Sequence, residues 1–197
     1  MKKSPVLCLA VVLIISLFNI QAVKGQKIVS GDLSFLKGQK SINVVFDYAG
    51  FKIEKETEAE FLEREASEKN TKESGSGDKF KMDWEKDKAD KFIPAFKKVL
   101  GEELGIQVDD PNAKYTLVVY EINLTNKGWG NKFSGGNPAA MDVSFKFVDT
   151  ANQATSLCVM SAEKVRYMAT MGTVSQKIQG CLEYAARQIV RPIKKSL

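Results

Sequence analysis

The sequence predicts an α+β protein: a two-layer sandwich in which helices cover one face of a small, mainly antiparallel, four-stranded sheet. Three observations predict it. Residues 140–149 alternate, with Met141, Val143, Phe145 and Phe147 on one side and Asp142, Ser144 and Lys146 on the other, as a half-buried strand requires. Residues 115–124 form a second apolar strand, joined to the first by a Gly-rich loop, so the two read as an antiparallel pair. Near the C-terminus, Ile178, Cys181, Leu182, Ala185, Ala186, Ile189 and Ile193 recur on one helical stripe, as on a helix that buries a face against a sheet.

The chain starts with Lys2 and Lys3, followed by an uncharged run over 4–23 centred on Val6 to Ile15. That is the pattern of a secretory signal peptide, 1–25, with cleavage after Ala22 or Gly25. The intensely apolar part is shorter than a membrane span, so a cleaved signal is preferred to an anchor. Cys8 lies within the apolar run behind a large Leu7, an unsuitable setting for lipidation. The expected location is therefore periplasmic or secreted, with a mature chain that does not span the membrane. Export removes three of the 29 lysines and arginines and no acid, leaving 26 against 24 acids. A charge so close to neutral gives no electrostatic case for nucleic-acid binding.

Residues 26–197 then read as one α+β domain. Residues 26–40, punctuated by Gly31 and Gly38, form a lead-in, and Ile42, Val44, Phe46 and Tyr48 alternate as the first strand. Residues 52–91 carry ten bases and thirteen acids and read as a charged helical insertion. A weak stripe of Ala59, Leu62 and Ala66 gives a first helix, the extra charged one. Ser74 to Gly77 breaks it, and Asp78 is the expected N-cap of a second helix. Phe80, Trp84, Phe92, Phe96, Val99 and Leu100 continue that helix to about 104, with a kink expected at Pro94. Interleaved acids and bases suit a solvated surface better than an arm that grips a partner. Asp109 to Asn112 is a turn, and Asp149 to Asn152 another. A third strand of the group runs over 156–167 with imperfect alternation, so a bulge or an edge position is expected. Thr173 with Gln176 fits a capping box at the start of the last helix, whose final turn Pro192 should disturb.

The chemistry is restricted. The chain has no histidine, which removes Ser-His-Asp and Cys-His catalysis and the usual zinc sites. Neither mature cysteine lies in a C-x-x-C pair. The glycines at 128, 130, 135 and 136 lack the spacing of a phosphate loop, and Asp109, Asp110 and Asn112 lack that of an EF-hand. No cofactor or metal is expected. Trp129, Lys132 and Phe133, in the loop 125–138, are the candidate binding residues, as aromatics in a glycine-rich loop can form a contact patch. Cys158 and Cys181 have the parity for a disulfide, and otherwise are two buried small hydrophobes.

The order strand, helix, three antiparallel strands, helix resembles the lipopolysaccharide-assembly lipoprotein LptE and the N-terminal domain of TolB. Leu36 to Lys40 leading into 42–48, Gly77 to Phe80 with Trp84, and Phe147 to Asn152 are similar to a group of exported Bacteroidota-type proteins of unknown function. That resemblance implies a two-layer fold and transfers no functional residue. The reading is of a non-catalytic envelope protein, a binding or assembly module for a protein or other envelope component. Docking is expected at the polar sheet face, a sheet edge or the 125–138 loop. The alternatives are a carboxylate-dependent envelope hydrolase and a small hydrophobic-ligand carrier.

Overall fold

A computed structural model describes residues 26–125, 139–168 and 172–197. The expected signal peptide and the loop residues Trp129, Lys132 and Phe133 lie outside these. The elements in order are β1 (Gln26–Gly31), β2 (Ser41–Phe46), β3 (Lys52–Ile53), β4 (Glu56–Thr57), α1 (Glu58–Lys72) and α2 (Ser76–Asp87). There follow a π-helical turn (Lys88–Phe92), α3 (Ile93–Leu104), β5 (Gln107–Val108), β6 (Tyr115–Thr125), β7 (Ala139–Asp149), β8 (Asn152–Tyr167) and α4 (Val174–Lys194). Because α2 runs through the π turn into α3, the described residues form three helical bodies.

The architecture is α+β, but the sheet is larger than four strands. Eight strands join in the order β1-β8-β7-β6-β2-β5, with β3 also beside β6 and β4 on β3, and the sheet does not close. It is mixed: β2 and β3 run parallel to β6, and β5 runs parallel to β2, while β6, β7, β8 and β1 are antiparallel neighbours. Three of the extra strands have two residues each, too few to show a period. The fourth, β1, arises from the lead-in and is exposed at five of its six positions, so it carries no amphipathic signature.

Two bulges explain the irregular patterns in the long strands. In β6, Leu117 and Val119 face the helices, opposite Phe147 and Phe145 of β7. The register then slips between Tyr120 and Asn123, with Glu121 at φ 49°, and Ile122 and Leu124 take over the core face. An unbroken period of two would put Val118 and Tyr120 on one face with Ile122 and Leu124; the bulge prevents this, because an extra residue reverses the parity of a strand. β8 does the same. Cys158, Met160 and Ala162 point inward, Lys164 adopts φ 53°, and Val165 resumes the core face. β8 is therefore bulged and is not an edge, since β1 lies outside it.

Helices α3 and α4 cover the face so formed. Phe96 stacks on Phe145 at a centroid distance of 5.9 Å, and Phe92, Leu100, Ile178, Leu182, Ala185 and Ile189 are fully or almost fully buried against the sheet. Each large side chain removed from water in this way contributes on the order of 2 kcal/mol. Gly180 allows closer approach still: a Cβ there would meet the Tyr167 ring at 2.3 Å. Thr173 and Gln176 form the expected capping box. α4 continues through Pro192 to Lys194, although Pro192 has no N–H to give to the carbonyl one turn back.

The charged insertion is an α1–α2 hairpin anchored in the same core. Thr57 caps α1 with Glu60, and Gly75 at φ 81° precedes α2, so Asp78 lies in the first turn and is not the N-cap. Gly77 packs directly on α1, where a Cβ would meet the Ala66 carbonyl oxygen at 2.3 Å. Trp84 is buried between Phe61 and Phe80 on the hairpin and Phe51 and Phe92 below it. The outer surface carries ion pairs such as Arg64–Glu56 and Lys81–Glu63, each contributing little in water.

Candidate functional site

The hairpin and α4 enclose a cleft of about 570 Å³, a volume in the range of ligand pockets. Its floor is Phe61, Phe80, Trp84 and Val174. The elements that aim its polar groups are the π turn and the first turn of α4. Within the π turn the Ile93 N–H reaches back five residues to the Lys88 carbonyl, just ahead of Pro94, whose ring nitrogen has no hydrogen to give. Around the π turn Asp87 meets α4 and Lys88 meets α1. Asp87 accepts a short hydrogen bond from Ser175 Oγ and pairs with Lys91 at 2.5 Å. A carboxylate thus already occupies the electropositive end of α4.

Lys88 joins the hairpin to the sheet. It pairs with Glu58 at 3.1 Å and Glu85 at 2.9 Å and lies over the Tyr48 ring at 4.7 Å. Burial opposes its charge, but Glu85 and Glu58 outweigh that, and its pKa is raised. Burial, with Glu58 and Glu85 nearby, pushes the Tyr48 phenol well above its ordinary value. Trp84 donates its indole N–H to Glu58 Oε1 at 2.6 Å.

Three of the remaining groups of the cleft are committed in the same manner. The buried Glu65 accepts from Arg64 at 2.8 Å, and Lys69 lies over the Phe80 ring at 5.1 Å. Asp83 accepts from Lys79 at 2.6 Å, a hydrogen bond that holds its carboxyl below the ordinary value. Lys86 and Asp90 stand exposed on the rim. The cleft therefore offers an apolar floor inside a balanced polar rim.

Trp129, Lys132 and Phe133, the residues chosen from sequence, lie outside the described residues. Their loop leaves the sheet where Thr125 pairs with Ala140. Sequence reasoning missed the cleft because Phe80 and Trp84 read simply as a core stripe. The available signal was Asp87 and Lys88, between one and two helical turns ahead of Pro94, charged residues just before a stretch where a helix must be distorted.

Cys158 and Cys181 are not bridged; both are buried free thiols. Cys181 Sγ lies 3.8 Å from the Val165 carbonyl oxygen. Val165 is seven residues beyond Cys158 on β8, roughly 23 Å at about 3.3 Å per residue, far outside bonding range. Burial pushes the Cys158 thiol up to about 11 and the Cys181 thiol up to about 12.

Two other expected docking surfaces are present. The helix-free sheet face carries Val45, Tyr120, Ser144 and Lys146, with Lys146 over the Tyr120 ring at 5.3 Å. Glu121, Asp142 and Glu163 border a small hollow there, in which Ser144 Oγ donates to Glu121 and the Lys164 N–H to Asp142. No group among the described residues has the composition and placement to hold a metal ion. The sheet edges are blunted. β1 exposes Ile28 and Val29 but is bulged and carries Lys27, and β5 is two residues long, both devices that discourage strand addition. No described helix is long and apolar enough to cross a membrane.

No protein-family profile matches the chain, and no curated protein is similar to it. Among solved structures it is similar to a point variant of the PelC dodecamer from Paraburkholderia phytofirmans, at 12% identity and a TM-score of 0.36, over 83% of this chain and 98% of that one. A second crystal form of the PelC dodecamer gives 11% identity and a TM-score of 0.33, over 83% and 96%. Likeness at this level carries no argument about function, and neither of these neighbours is LptE or TolB.

Proposed function

We propose that the chain is a non-catalytic, exported envelope protein that acts by binding, with its partner, a protein or other envelope component, docked at the cleft between α1, α2 and α4. The observation that supports this reading is the commitment of the cleft's ionisable groups. Glu65 is bound to Arg64, Asp83 to Lys79, and Asp87 to Ser175 and Lys91, around an aromatic floor. A hydrolase that uses carboxylates alone needs one carboxyl raised to donate a proton and a second one free to attack or to activate water. Asp83 is shifted the other way. A carrier needs a cavity between helices and sheet, and Phe92, Phe96, Phe145 and Phe147 fill that space. Export rests on Lys2, Lys3 and the apolar run behind them.

The test is recovery of partners from a crosslinked envelope fraction, comparing the wild type with the rim variant Lys86→Glu, Asp90→Lys. Both positions are exposed, so the variant should fold. Recovery of a specific component is expected to fall roughly tenfold in the variant, the effect of losing about 1.4 kcal/mol. Equal recovery with the rim variant, with loss confined to Trp129→Ala, Phe133→Ala, would move the site to the loop and reject the cleft.

A further inference from the structure

We draw no further inference here: the strongest candidate, the groove that extends the cleft along α3 and α4 past Asp90 and Lys91 toward Glu183 and Arg187, belongs to the site already described, and nothing in the structure shows what covers it.

Discussion

Trp84 and Glu58 illustrate how single side chains hold the charged hairpin to the sheet. The indole N–H and Lys88 share one carboxylate, Glu58, whose side chain, like that of Lys88, is only about one-sixth exposed. Removing the carboxylate leaves the buried indole N–H without its acceptor and the Lys88 ammonium with Glu85 alone. Glu58→Ala should therefore cost about 2 kcal/mol, the value for an unsatisfied buried donor. Urea unfolding measures it, and an unchanged midpoint would show that water replaces Glu58 without loss. The two cysteines make a second residue-scale prediction. Their thiols titrate near 11 and 12 in the folded chain, above the ordinary value of 9.0. A raised acid favours the protonated, folded form. The stability it contributes is full below pH 9 and is lost as pH rises through 11 and 12. Both thiols should resist alkylation at pH 8 until the chain is unfolded, and the mass should not change on reduction. A native form two daltons lighter than the reduced chain would contradict this.

Among the elements, two glycines in helices offer opposed predictions. Gly101 in α3 has only ordinary contacts around a would-be Cβ, the nearest at 3.5 Å on Val108. Gly101→Ala should stabilise by up to about 1 kcal/mol, since Gly is the poorer helix former. Gly77 in α2 has the Ala66 carbonyl oxygen at 2.3 Å. Gly77→Ala should destabilise by about 2 kcal/mol, as overpacking costs more than helix propensity returns. Thermal unfolding of the pair checks the close packing of α1 on α2, and stabilisation of both would refute it. The strands show how far sequence can be read. β7 was legible because Met141 to Phe147 keep strict alternation. β6 and β8 were legible as strands but not in facing, because bulges at Glu121 and Lys164 reverse parity midway. Leu117 and Val119 beside Ile122 and Leu124, apolar on both parities, were the trace of that bulge. β1, β3, β4 and β5 were not legible, because backbone pairing made in three dimensions, not side-chain period, defines them.

For the whole molecule, the mixed sheet follows from the course of the chain. β2 and β3 lie in succession along one edge of β6, both parallel to it, so the insertion that follows β4 must return over the helical face of the sheet. That route lays the hairpin beside α4 and creates the cleft. The site is therefore a product of topology and of the π turn, and its residues were visible in sequence only as core aromatics and surface charges. Hydrogen exchange of the free chain and of the chain with its co-purified partner tests the binding account most directly. The account predicts added protection in 61–69, 80–91 and 173–175, the walls of the cleft. Protection confined to 125–138, or to 43–45 and 142–146 in the strands of the open sheet face, with none in those three segments, would contradict it.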